Sequence, residues 1–121
     1  MTTLKLRILF DEAMLGPGKA DLLERIRATG SIAAAGRQMG MSYKRAWMLV
    51  EEMNAAFRAP LVASARGGPG GGGAQLTEAG EEVLRLYRDI LERARAATAD
   101  PIAALEAMLA SAGSTDMSGG K

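Results

Sequence analysis

The chain has 121 residues, of which 48% are hydrophobic and 24% charged, enough for one compact domain with a core of its own and too few for a separate sensor and effector. Cys 0 and His 0 exclude a disulfide framework, a Cys/His zinc site, a thiol nucleophile and an imidazole base, so acid-base or metal chemistry would fall to carboxylates, Lys or Tyr alone. The net charge of +1 is unevenly placed: Arg25, Arg27, Arg37, Lys44, Arg45, Arg58 and Arg66 stand against only Glu51 and Glu52 between residues 25 and 66, and the remainder is net acidic, a split that points to an anion-binding middle.

Residues 1 to 10, MTTLKLRILF, alternate basic and apolar positions and run at once into Asp11 and Glu12, without the apolar core of a signal peptide. No stretch reaches the roughly 18 uninterrupted apolar residues of a membrane span. The expectation is a cytoplasmic protein without a membrane partner.

The alternation over Leu4 to Phe10 predicts a half-buried strand closed by Gly16-Pro17-Gly18. From Lys19 the residues Leu22, Leu23 and Ile26 fall at helical spacing, with Asp21 and Glu24 early and Arg25 and Arg27 late, as the helix dipole favours; this first helix ends at Gly30. Ser31 caps a short alanine-rich helix over Ile32 to Met39, stopped by Gly40, and Ser42 caps a third over Tyr43 to Arg58, before Pro60. At 100° per residue Ala46, Leu49, Val50, Met53 and Phe57 share one face of that helix, with Lys44, Met48 and Ala55 opposite. Leu61 to Arg66 and Ala74 to Thr77 read as a hairpin around the tip Gly67 to Gly73. Thr77 caps a helix running to about Thr98 with the stripe Val83, Leu84, Tyr87, Ile90, Leu91 and Ala94. Asp100-Pro101 is expected to interrupt it, starting a last helix Ile102 to Ala110. The domain limits are therefore 1–98 for a winged-helix domain with its long C-terminal helix, 99–110 for an additional short helix, and 111–121 for a disordered tail.

Three helices, the second and third joined through Gly40, then a glycine-tipped hairpin, make the order of a DNA reader, whose third helix enters a major groove about 12 Å wide. The fold class is α+β: a winged helix-turn-helix with an N-terminal strand and C-terminal dimerisation helices. Candidate DNA contacts are Ser31, Ser42, Tyr43, Lys44, Arg45 and Met48, with Arg66 and the wing glycines Gly67, Gly68, Gly70 and Gly71; a glycine tip has no side chains to collide with a sugar-phosphate wall. Trp47 lies about 100° from the core axis and is read as partly buried packing. Glu51 and Glu52 point in different directions without a third ligand, which argues against a metal site. Gly68, Gly70 and Gly73 match G-x-G-x-x-G but precede Ala74-Gln75-Leu76-Thr77 rather than a helix. Gly18-Lys19 precedes Ala20 where a Walker motif needs Ser or Thr. Neither is a nucleotide loop, and no cofactor, no catalytic residue and no enzyme activity is expected.

Taken together, Gly18-Lys19 through Leu23, Thr29-Gly30-Ser31-Ile32, Met41-Ser42-Tyr43-Lys44 with Ala46-Trp47, Glu52-Met53-Asn54, Pro60-Leu61-Val62, the wing Gly67 to Gly73, and Leu76-Thr77 with Gly80 resemble the N-terminal DNA-binding domain of the molybdate-responsive transcriptional regulator (ModE) family, from about Leu4 to Ala97. The resemblance implies a dimeric winged-helix repressor or activator in which Ser42, Tyr43, Lys44 and the wing contact DNA. Full-length members continue into small β-rich domains that bind molybdate or tungstate, whereas residues 99 to 121 hold one helix and a tail, too little for a β-barrel. The expectation is a standalone form with no evident small-molecule effector, whose partners are double-stranded DNA and a second copy paired through Val83, Leu84, Tyr87, Ile90, Leu91, Leu105 and Leu109. The alternative is a winged-helix protein-interaction or architectural module without sequence-specific DNA readout.

Overall fold

The computed structural model describes residues 2–65 and 73–110. The described chain is ordered β1 (Ile8–Leu9), β2 (Met14–Leu15), α1 (Pro17–Thr29), α2 (Ile32–Gln38), α3 (Tyr43–Ala56), β3 (Val62–Ala65), β4 (Gly73–Leu76) and α4 (Glu78–Ala107). It divides into two compact units, Met1–Asp89 and Ile90–Lys121. The first holds the three-helix and hairpin arrangement expected of an α+β winged helix-turn-helix.

Each helix boundary in the first unit has a local cause. Gly16 is the N-cap of α1 and Pro17 takes the first helical position, where its missing N–H costs nothing. Gly30 ends the helix at φ 71° and donates its N–H to the Ile26 carbonyl at 2.7 Å, a conformation L side chains resist. Ser31 Oγ accepts the Ala34 N–H at 3.0 Å and Ser42 Oγ the Arg45 N–H at 3.1 Å, so both hydroxyls cap the helices they precede. Between them Gly40, at φ 72°, turns the chain. α2 and α3 cross at Gly36, where an added Cβ would stand 2.9 Å from Ala46 Cβ.

The core is apolar: Leu22, Leu23 and Ile26 of α1, Ala35 of α2, Ala46, Val50 and Met53 of α3, and Leu61 are buried together with Leu84 and Tyr87 of α4. Phe57, expected on the same face of α3, is only half-buried because the helix stops at Ala56 and Phe57 is already extended. The hairpin pairs antiparallel from Val62↔Leu76 to Ala65↔Gly73. It joins the helices where the Ala74 N–H donates to the Gly30 carbonyl at 2.9 Å.

Three expected elements differ. The N-terminal strand is only two residues long, paired Ile8↔Leu15 and Leu9↔Met14. The alternation survives as burial, Leu4, Leu6 and Ile8 half-buried and Lys5, Arg7 and Leu9 exposed. In place of a ladder partner, Leu6 offers its carbonyl to the Tyr87 hydroxyl at 2.7 Å. α1 begins at Pro17 rather than Lys19. At the other end, Asp100-Pro101 does not break the chain into two helices: α4 continues through Pro101 to Ala107. A proline's φ is helix-compatible and it removes one hydrogen bond, to the residue four back. The separate helix expected over 99–110 is thus the end of α4, followed by a turn in which Met108 and Leu109 donate to Leu105 and Glu106. The tail 111–121 lies outside the described residues.

Gly80 tests the packing. A Cβ there would collide with the Leu61 carbonyl, whereas one at Gly18 would meet nothing within 4 Å. Gly80→Ala should lower unfolding free energy by about 3 kcal/mol, the scale of overpacking against rigid backbone. Gly18→Ala should leave it unchanged or raise it by about 0.4–1 kcal/mol. Equal denaturation midpoints for the two variants would contradict the packing described.

Candidate nucleic-acid interface

The first turn of α3 presents Ser42, Tyr43, Lys44 and Arg45, all exposed. A helix begins with N–H groups that have no intrahelical acceptor and with the positive end of its dipole. Ser42 Oγ takes the Arg45 N–H, leaving earlier N–H groups of that turn to meet an anion. Met48 is exposed one turn further along. Ser31 is half-buried at the start of α2. Its own N–H donates to Thr29 Oγ1 at 3.2 Å and its Oγ accepts from Ala34, so its hydroxyl proton is what it can still offer.

Trp47 lies beside the buried stripe of α3. It is 44% exposed, beside Tyr43 and Met48, which are also exposed. The buried stripe of α3 is filled by Ala46, Leu49, Val50 and Met53, and the next position round the helix falls outside it. The outer face of α3 therefore combines two cations with three large apolar side chains.

Electrostatics separates this face from the rest of the unit. Arg25 pairs with Asp21 at 3.0 Å, Arg27 with Glu24 at 2.6 Å and Glu81 at 2.7 Å, Arg88 with Glu24 at 2.6 Å, and Arg85 with Glu82 at 2.6 Å. The hydrogen bond from Arg85 holds the Glu82 carboxyl below its ordinary range, and that to Glu81 raises the Arg27 guanidinium above its own. On α3 itself Glu52 is bound by Lys19 at 3.2 Å. Among the described residues, Arg37, Lys44, Arg45 and Arg58 make no ion pair. The described cations of α1 and α4 are paired, whereas Arg37, Lys44 and Arg45 about the α2–α3 turn, like Arg58 past the end of α3 and Lys5 and Arg7 before β1 and β2, are not.

Arg66, Gly67, Gly68, Gly70 and Gly71 lie outside the described residues; the wing is described at its roots, up to Ala65 and from Gly73. Those roots are tied to α3 by a residue that pattern reading did not single out as functional. Asn54 Oδ1 accepts the N–H groups of Leu61 and Val62 at 2.8 and 3.1 Å, and its Nδ2 donates to the Val62 carbonyl at 3.1 Å. The only sequence signal is a side-chain amide between the buried Met53 and a chain turn that needs backbone partners.

The expected dimer residues separate into two sets. Leu84 and Tyr87 are 1% and 3% exposed, within the protomer's own core. Val83 and Leu91 are half-buried, and Ile90, Leu105 and Leu109 are exposed.

Residues 19–81 match the bacterial regulatory helix-turn-helix protein family, lysR type. Over 75 residues the chain is 49% identical to the molybdenum-pterin-binding protein MopB of Rhodobacter capsulatus, covering 62% of this chain and 28% of that protein. Over 87 residues it is 41% identical to the transcriptional regulator ModE of Yersinia pestis and 40% identical to the DNA-binding transcriptional dual regulator ModE of Escherichia coli K12, covering 72% of this chain and 32% of each relative. The chain thus spans about a third or less of the length of these relatives.

Proposed function

The chain belongs to the lysR-type bacterial regulatory helix-turn-helix family, and from that premise we propose that it is a ModE-like transcriptional regulator that reads duplex DNA with the first turn of α3. The observation that carries this is the charge allocation: Arg37, Lys44 and Arg45 stand without intramolecular carboxylates among the described residues, beside a helix N-terminus, while the other helices of the unit commit their arginines to ion pairs. A surface left with unneutralised cations suits a polyanion, whose counterions it releases on binding. Ser42, Tyr43 and Ser31 add phosphate donors, and the wing residues Arg66, Gly67, Gly68, Gly70 and Gly71 are proposed to follow the adjacent backbone.

Tyr43, Trp47 and Met48 give this reading its chemical preference. Apolar side chains in a major groove find one apolar partner, the C5-methyl of thymine. Half-sites carrying thymine opposite these residues are therefore favoured.

A homodimer supplies the second half-site. Ile90, Leu91, Leu105 and Leu109 fall on α4 and its end as apolar side chains at least partly open to solvent, the kind of surface a two-fold partner covers. Two copies would read an inverted repeat with centres about 34–36 Å apart. Residues 99–110 form only the end of α4 and its final turn, so no oxyanion pocket is proposed for them. No helix of the described residues is long and apolar enough to cross a membrane.

Binding to duplex DNA should weaken with salt. Lys44→Ala/Arg45→Ala should cost about 1–3 kcal/mol for each base edge no longer read, or flatten the salt slope by roughly one for each phosphate no longer neutralised. A fully folded double variant that binds as the wild type does would contradict the assignment of α3. Salt-insensitive binding would favour a protein-interaction module instead.

Replacing half-site thymines by uracil removes only the methyl. Each methyl packed against the protein should cost about 0.8 kcal/mol, roughly a fourfold drop in affinity. The same replacement should leave a Trp47→Ala/Met48→Ala variant nearly indifferent; an equal drop in variant and wild type would show that other residues read the methyls.

Leu91→Glu/Leu105→Glu should give monomers by light scattering, with the fold intact, that lose most specific affinity because each half-site is then bound without linkage. A wild type that is monomeric at micromolar concentration, or a monomeric variant that binds the full site undiminished, would contradict dimeric binding.

A further inference from the structure

Opposite the reading end of α3, its last turn and the β1–β2 hairpin enclose an open cleft of roughly 1210 Å³. Leu9, Phe10, Ala55 and Ala56 line it with apolar surface, and Leu9 is 71% exposed, an unusual position for a strand leucine. Phe10 meets Phe57 edge to face, with ring centroids 6.4 Å apart, so the hairpin is braced against the end of α3 rather than hanging loose.

The potential of this cleft is negative from three sources. Asp11 and Glu12, at the hairpin tip, line it without an ion pair among the described residues. Lys19, the cation among the described lining residues, is already committed: its ammonium lies 3.2 Å from Glu52 Oε1 and donates to the Met14 carbonyl at 3.1 Å. The third source is the C-terminal end of α3, whose last turn carries no basic residue; Arg58, two residues beyond Ala56, is not among the residues that line the cleft. A helix C-terminus of this kind favours a Lys or Arg side chain brought to it.

We propose that this cleft docks a basic, apolar-anchored segment of a partner protein, with aliphatic side chains against Leu9, Phe10 and the two alanines and with Lys or Arg toward Asp11, Glu12 and the last carbonyls of α3. DNA is excluded as occupant because a polyanion is repelled by each of those groups. This chain's own basic-apolar runs include Leu4-Lys5-Leu6-Arg7 and Leu84-Arg85-Leu86-Tyr87-Arg88, and both are held in their own protomer: the Tyr87 hydroxyl donates to the Leu6 carbonyl at 2.7 Å, and Leu84 and Tyr87 are buried. The occupant therefore comes from another protein. From Tyr43 to Ala55 is about 18 Å along a helix axis, so such a partner sits clear of the first turn of α3. The site stands on the cleft's own chemistry and does not depend on DNA being the ligand of that turn.

The test uses the full chain without DNA, labelled with ¹⁵N, and three synthetic peptides as probes: an amphipathic Lys/Leu helix former, its Glu/Leu counterpart and an oligolysine of equal charge. The Lys/Leu peptide should shift the amides of residues 9–12 and 55–57 saturably and leave those of Tyr43 to Arg45 unmoved. The Glu/Leu peptide and the oligolysine should each bind at least about tenfold more weakly, since one lacks the charge and the other the apolar anchor. Asp11→Lys/Glu12→Lys, on an exposed turn that should not affect folding, should weaken the Lys/Leu peptide by about tenfold or more; Glu82→Lys, on α4, should not. Shifts spread over every acidic surface, equal binding of oligolysine, or indifference to the hairpin reversal would overturn the proposal. So would movement of the same amides on simple dilution, because the cleft would then be covered by a second copy of the chain.

Discussion

Leu61 is held from three sides, and the relation of the β3–β4 hairpin to α3 depends on it. Its N–H is taken by Asn54 at the end of α3, its carbonyl accepts the Thr77 N–H at 2.9 Å, and its side chain is fully buried. Gly80 lies so close against that carbonyl that no Cβ fits between them. The neighbouring Pro60 carbonyl accepts from Thr77 Oγ1, which in turn caps α4 by accepting the Gly80 N–H. Two polar side chains and one glycine thus lock the end of α3, the start of β3 and the first turn of α4 into one junction. These backbone groups find partners inside the junction, as they must once water is excluded. A side chain on α3 and the base of the wing are consequently fixed relative to each other before any ligand arrives, which lowers the ordering cost of binding.

The second constraint is how charge is distributed. With a net charge of only +1, the chain has no bulk electrostatic claim on DNA. The network Arg88–Glu24–Arg27–Glu81 absorbs cations of α1 and α4 in pairs that are partly exposed and individually worth little stability. Its larger effect is on the field: Arg37, Lys44 and Arg45, left without ion pairs among the described residues, fall around the α2–α3 turn, and the uncompensated acids of the β1–β2 hairpin fall beside the other end of α3. One helix therefore has a first turn suited to an anion and a last turn suited to a cation, in the sense its own dipole dictates.

The helix order, the caps Ser31, Ser42 and Thr77, the stops Gly30 and Gly40, and the buried face Ala46, Leu49, Val50 and Met53 were all legible in the sequence, because each rests on interactions a few residues apart. What was not legible depends on distant partners or on competition between signals. Leu84 and Tyr87 look like part of a continuous dimer stripe, yet the domain core claims them, and no periodicity tells a helix which neighbour will cover it. Asp100-Pro101 reads as a cap and a fresh start, but α4 runs through it to Ala107, even though an interior proline forfeits a hydrogen bond and crowds the carbonyl four residues back. The strand at Leu4 to Phe10 has the right alternation and lacks a ladder partner for most of its length. Asn54 was invisible as a structural clamp because its acceptors and donor partners lie seven and eight residues away, across a turn.

Which end of α3 meets DNA can be read directly, because the chain has no native cysteine (Cys 0). A single cysteine at Met48 or at Glu12, each carrying a tethered DNA-cleaving iron chelate, reports what lies within about one helix diameter of its attachment point. With the protein bound to its operator, the Met48 reagent should cut within each half-site and the Glu12 reagent should not cut. Cleavage from Glu12 with none from Met48 would place the acidic end of α3 on the DNA and contradict the interface described.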